Sequence, residues 1–131
     1  MSSIYPSSRI YINKSKIPGS GLGVFASKDI LKDEIIEIAP ILVLEFSDFI
    51  DTRWNLLFEY YFWMDDYVAL ALGFASMYNH SPEANCKYEL NREEKTITFT
   101  AIKDIKKDCE LYFNYKGSSN PKTPLWFEKS T

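Results

Sequence analysis

The sequence predicts a mostly β fold with few short helices, folded as one unit over residues 1–131. Three observations carry this expectation. The apolar runs are short, rich in Ile, Val, Thr, Tyr and Phe, and separated by Gly, Pro, Asn and Asp, as in chains built from strands and tight turns. Only one stretch repeats its apolar residues at helical spacing. The length of 131 residues, with 46% hydrophobic and 16% aromatic side chains, suits a single domain with a substantial core.

Taken in order, "RIYINK" alternates in the manner of a strand, and "IPGSGLGVFAS" sets Pro18 and three glycines as a tight loop feeding a second strand. "DEIIEIAPILVLEF" is rich in β-branched residues but interrupted at Pro40, so it reads as two short strands joined at a bend, or as one edge strand with a break. Ser47 can cap a helix in which Ile50, Trp54, Leu57, Phe58 and Tyr61 share a face, with the aromatics from Tyr60 to Trp63 blurring its end. After the "MDD" turn, "YVALAL" reads as a buried strand and "GFASMYNHSPEAN" as a compact turn or short helix. "CKYEL" and "TITFTAI", joined by "NREEK", form a hairpin pattern, and "IKKDCELYFNY" adds a turn and a final strand. "KGSSNPKTP" then links to the terminal "LWFEKST".

Composition narrows the function. Fifteen Lys and Arg against 18 Asp and Glu give a formal charge of −3, so no broad positive field exists for direct nucleic-acid binding, whereas a basic protein partner suits the sign. Cys86 and Cys109 stand far apart, with neither a disulfide framework nor a cysteine-rich zinc site between them, which points to a reducing compartment. "VALALGFASMY" is too short to span a bilayer, and the start lacks the apolar core of a signal peptide. The expectation is a soluble, intracellular protein with no membrane contact.

Single motifs are ambiguous. "GSGLG" is incomplete as a dinucleotide fingerprint, and the phosphate-loop spacing is absent, which argues against ATP hydrolysis. His80 is the lone histidine, so the usual zinc sets cannot be completed and no metal is expected. The order of motifs is more specific. "GLGVFA", then "NHSPEANC", then "AIKDIKKDCELYFNYKG" together resemble the defining motifs of the SET-domain protein lysine methyltransferases. Gly21-Leu22-Gly23 matches the family's G-x-G, the stretch from Ser76 to Asn85 its R-F-x-N-H-S-C-x-P-N, and Glu110 to Tyr115 its E-L-T-F-D-Y. The resemblance spans about residues 9–117, with 118–131 as a tail closing the site, and is nearest to the small stand-alone viral and bacterial members.

The resemblance implies a SET-domain fold, small β-sheets with a knot-like crossing near the active site, and S-adenosyl-L-methionine as methyl donor, leaving S-adenosyl-L-homocysteine. It assigns catalysis to Tyr115 and cofactor binding to Ser20, Gly21, Leu22, Asn79, His80, Tyr115 and Trp126. Tyr67, Tyr78 and Phe113 become candidate substrate-channel residues, and Phe113, where the family alternates between phenylalanine and tyrosine, favours products beyond monomethyl-lysine. In-line methyl transfer needs a neutral amine, and a lysine with a reference pKa of about 10.4 must be desolvated and aligned to provide one. An apolar, aromatic channel ending in a tyrosine hydroxyl meets that need.

The implied partner is a basic, lysine-bearing protein or peptide, with a histone tail among the candidates. A non-histone substrate such as a ribosomal protein is the alternative, as is a degenerate SET domain that binds a lysine tail without methylating it. A homodimer is compatible, and a viral or secreted-effector origin would place the protein in the cytoplasm or a host nucleus. Ser76, Met77, Pro82 and Asn114 depart from the family's residues, and the tail lacks the family's zinc-binding cysteine cluster, so the segment around Trp126 and Phe127 must substitute.

Overall fold

The computed structural model describes residues 3–49, 58 and 60–114. Among these residues nine strands form two sheets: β1 (Ile10–Lys14), β2 (Leu22–Ala26), β3 (Ile35–Leu44), β4 (Tyr61–Trp63), β5 (Val68–Ala71), β6 (Asn79–His80), β7 (Cys86–Asn91), β8 (Thr96–Ala101) and β9 (Glu110–Phe113). The smaller sheet runs β1-β2-β9-β6 and the larger β4-β5-β3-β8-β7. Helical structure among the described residues is confined to 3-10 turns, including Phe46–Phe49 and Ala75–Met77. Among those residues no helix is long and apolar enough to cross a membrane.

Most expected strands form where the alternation places them, and β7 and β8 pair from Cys86↔Ala101 to Asn91↔Thr96 as the "CKYEL…TITFTA" pattern requires. β3 departs from expectation, because it is one continuous ten-residue strand in the centre of the larger sheet. It changes partner at the proline: residues up to Pro40 pair with β8, and Ile41 to Leu44 pair with β5. Pro40 lacks an N–H, yet its carbonyl still accepts the Leu72 N–H at 2.9 Å, so it sits at the point where the ladder to β5 ends. A central strand thereby tolerates a residue that normally marks an edge.

The expected helix from Ser47 through Tyr61 lies largely outside the described residues. Its ends are corrected: Ser47 falls within the 3-10 turn, and Tyr61 opens β4, paired with Leu70 of β5. An aromatic run of high strand propensity takes the free edge of β5 rather than a last helical turn.

The core fills the space between the sheets. Leu111 and Phe113 of β9 point into it from the smaller sheet, and Phe113 meets Phe62, Tyr88 and Phe99 of the larger one at ring-centroid distances of 5.8, 5.3 and 5.6 Å. Two of these contacts are edge-to-face, the arrangement the ring quadrupoles prefer. Cys86 is buried and Cys109 exposed, and both are free thiols.

Candidate active site

The site grows from the loop between β1 and β2. Ser15 N–H donates to the Gly21 carbonyl at 2.7 Å, closing residues 15–21 into a tight turn. Gly21 has φ of 72°, a left-handed conformation that an L side chain would strain. Gly23 is needed for a different reason: a Cβ there would collide with the Glu110 carboxylate and press on the Asn79 amide. The G-x-G spacing thus serves one backbone conformation and one close approach.

Asn79 and His80 enter this neighbourhood because β6 pairs in parallel with β9, Asn79 opposite Tyr112 and His80 opposite Phe113. Just after β6, Ser81 N–H donates to the Phe113 carbonyl, and Asn85 N–H to that of Tyr112, both at 3.1 Å. The Asn85 side chain completes the grip, accepting from Tyr112 N–H at 2.9 Å and donating to the Glu110 carbonyl at 2.9 Å. Residues 79–85 therefore cross tightly against β9, the crossing expected of the fold. They unite three segments far apart in sequence: the glycine loop, the asparagine-histidine pair and the last strand.

Glu110 is the hub of that junction. Only 3% exposed, its carboxylate accepts from Ser15 Oγ (2.8 Å), Lys16 N–H (2.8 Å), Asn79 Nδ2 (3.0 Å) and the Tyr112 hydroxyl (3.0 Å). Burial alone would raise its pKa, but the donors, led by Asn79, outweigh this and hold the group below the usual carboxylate range. The phenol of Tyr112 is pushed up to about 12, by burial and by the Glu110 carboxylate it serves.

The orientation of Asn79 follows from its acceptors. Nδ2 donates both to Glu110 and to the Leu22 carbonyl at 3.0 Å, so both amide protons are committed. Planarity puts Oδ1 on the opposite side of Cγ, where no described residue donates to it. Together with the exposed Ser20, Gly21 and Leu22, the junction offers an acceptor oxygen beside accessible backbone. Such a surface fits a ligand that carries an ammonium group and extended polar edges, which is the chemistry of an amino-acid-bearing cofactor such as S-adenosylmethionine.

Other sequence candidates lie elsewhere. Tyr78 is buried, stacked on Phe99 at 3.9 Å, and spends its hydroxyl on Glu37 at 2.9 Å. Tyr67 precedes β5 in the larger sheet, with the Arg92 guanidinium 4.7 Å over its ring. Phe113 is 1% exposed within the aromatic core. Tyr115 and Trp126 lie outside the described residues. Sequence reasoning did not single out Glu110, Asn85 or Tyr112 as site residues. All three stood in the quoted motifs, but their partners are set by tertiary pairing.

Comparison with known proteins agrees with this geometry. The SET domain family profile matches residues 21–116. The histone-lysine N-methyltransferase, H3 lysine-37 specific, of Schizosaccharomyces pombe is 32% identical over 110 residues, 82% of this chain and 71% of that protein. The histone-lysine N-methyltransferase EZH2 of Chaetomium thermophilum is 32% identical over 125 residues, 81% of this chain but 8% of that much longer protein. Among solved structures, a candidate histone methyltransferase of Plasmodium falciparum superposes with a TM-score of 0.70 at 29% identity, covering 95% of this chain and 99% of that one. A polycomb repressive complex 2 structure bound to S-adenosylmethionine shares the fold, with a TM-score of 0.70 at 24% identity over 96% of this chain and 17% of that one. The chain belongs to the SET-domain family of protein-lysine methyltransferases.

Proposed function

We propose that the protein transfers methyl groups from S-adenosylmethionine to a lysine side chain of a histone, and proceeds beyond monomethyl-lysine. The observation that carries this reading is the parallel pairing of β6 with β9, which sets the Asn79 amide between the glycine loop and the strand leading to Tyr115.

When bound, S-adenosylmethionine supplies an electrophilic methyl on a sulfonium. Asn79 Oδ1 would accept from its ammonium, the backbone of Ser20, Gly21, Leu22 and His80 would hold its polar edges, and Trp126 would cover it. Tyr115 holds the lysine amine in line, with its proton already lost to solvent before the new N–C bond forms. Tyr67, Tyr78 and Phe113 belong to the aromatic wall that keeps the neutral amine favoured over the ammonium. Phe113 presents no hydroxyl, which leaves room for an amine that already carries a methyl. The histone assignment is supported by the names of the similar curated proteins and by the formal charge of −3, which suits a basic tail. Such a substrate would be met in a nucleus or on its way there.

Calorimetric titration with S-adenosylmethionine tests the pocket. The parent should bind without added metal, and Asn79→Ala should lose about tenfold or more in affinity, the loss of one charge-assisted hydrogen bond. Unchanged affinity in Asn79→Ala would remove the pocket assignment. Incubation of the parent with labelled cofactor, core histones and cell lysate, followed by mass spectrometry, identifies the acceptor. Label confined to non-histone proteins would overturn the histone assignment while leaving the chemistry intact.

A further inference from the structure

A second buried carboxylate, outside the methyl-transfer junction, lies on β3. Glu37 is 7% exposed, with Oε1 accepting from the Tyr78 hydroxyl at 2.9 Å and Oε2 from the Phe74 N–H at 3.0 Å. Each oxygen keeps a second lone pair, and among the described residues no Lys, Arg or His side chain is a partner or acts on its charge. Burial raises its pKa against the opposing pull of Phe74 N–H and the Tyr78 hydroxyl. A buried anion without a cation is costly, and Glu110 shows how many donors this fold supplies when a carboxylate is meant to be closed off.

Glu37 receives two donors where Glu110 receives four. It lines a cavity of about 340 Å³ between residues 4–7 and β3, whose walls include Ile4, Tyr5, Ile38, Pro40 and Phe74. Among the described residues Glu37 is the single carboxylate there and no cationic side chain lines the space. Tyr5, Ile38 and Phe74 are 77%, 40% and 38% exposed, so the apolar rim faces solvent. Apolar walls around one well-placed charged group are the usual make-up of a site for a small amphipathic ligand. An alkylammonium ion has the matching form, an apolar stem with a cationic head.

We propose that this cavity binds a primary alkylammonium group, its head on the Glu37 carboxylate and its stem against Ile4, Tyr5 and Phe74. The group can come from a lysine side chain of a basic peptide or from a free amine. The cavity shares no lining residue with the junction of Ser20, Leu22, Asn79 and Glu110, so it is a second site, joined to the proposed lysine channel only through the hydrogen bond from Tyr78 to Glu37.

The test is amide NMR of the full chain, following Gly73 and Phe74, with n-butylammonium, n-butanol, a peptide carrying one lysine, and the same peptide with norleucine in its place. n-Butylammonium should shift both amides saturably, and n-butanol should bind about tenfold more weakly or worse, since it lacks the charge. Glu37→Gln should weaken the ammonium by a similar factor, and Phe74→Ala, which removes an exposed wall, by several-fold with the fold retained. Tighter binding of the lysine peptide than of n-butylammonium, lost with norleucine, assigns the peptide as source, whereas equal affinities assign the free amine. Equal binding of n-butanol and n-butylammonium to the parent, or unchanged binding in a folded Glu37→Gln, would overturn the proposal. So would shifts confined to Gly23 and Asn79, which would mean that the amine enters only the methyl-transfer junction.

Discussion

Two buried glutamates behave in opposite ways, and the difference is countable at the level of single hydrogen bonds. Glu110 has four donors and is held low, whereas Glu37 has two and is held high by burial. The linkage signs therefore oppose. A carboxyl whose folded pKa is raised binds its proton more tightly in the folded chain, so its contribution to stability is full below the unfolded value of about 4.3 and is lost as pH rises through the folded value. For Glu110 the contribution is present above the unfolded value and is lost as pH falls through the folded one. Glu37→Gln should thus flatten the decline in stability above about pH 4 while leaving the acid limb, to which Glu110 contributes, in place. Denaturant titrations of parent and variant across pH 3 to 8 read the difference directly, and parallel curves would show that Glu37 titrates as in the unfolded chain. Neither role was visible in the sequence. Glu37 stands in an alternating strand pattern that assigns no partner, and the donors to Glu110 come from residues 15, 16, 79 and 112, brought together only by the sheet.

The strands were legible where a two-residue period met a turn signal, as in β1, β2, β7 and β8, because alternation and turn chemistry are local. Pro40 misled for a local reason with a non-local answer: its missing N–H suggests an edge, but β3 exchanges β8 for β5 at that residue and stays central. The chemistry-bearing motifs were legible by order, while the way β6 inserts beside β9 was not, since two residues carry no periodicity. Asn85 shows how much rests on that insertion. Asn85→Ala strips an acceptor from Tyr112 N–H and a donor from the Glu110 carbonyl, and should cost about 1–3 kcal/mol in chemical denaturation. It should also weaken cofactor binding, because β9 positions the Asn79 amide through Glu110; full retention of both would mean that backbone pairing alone holds the crossing. On the same strand, Phe113→Tyr adds a hydroxyl to the aromatic wall and should accumulate monomethylated product while first-methyl transfer persists. Intact-mass time courses decide this, and identical product distributions at matched turnover would remove Phe113 from product control.

At the scale of the whole molecule, two small sheets share one aromatic core, and the smaller carries the hydrogen-bonded junction around Glu110 on its opposite face. Gly23, Asn79, Glu110 and Tyr112 gather there, while Val24, Leu111 and Phe113 of the same strands are buried between the sheets. Strand alternation thus separates the aromatic core on one face from the hydrogen-bonded junction on the other. In the proposed function, residues assigned to the cofactor and to the lysine channel meet at one strand, β9, which precedes Tyr115 in the sequence. The central claim is methyl transfer to lysine with Tyr115 as the aligning group, and it is tested most directly by comparing parent and Tyr115→Phe on the same histone substrate. The measurement is methyl incorporation by mass spectrometry at cofactor concentrations that saturate both proteins. The account predicts lysine methylation by the parent and a loss of about a hundredfold or more in Tyr115→Phe, with cofactor affinity retained, since one hydroxyl is removed from a site where alignment supplies much of the rate. Turnover within a few-fold of the parent in that variant, or no lysine methylation by a parent that binds the cofactor, would contradict it.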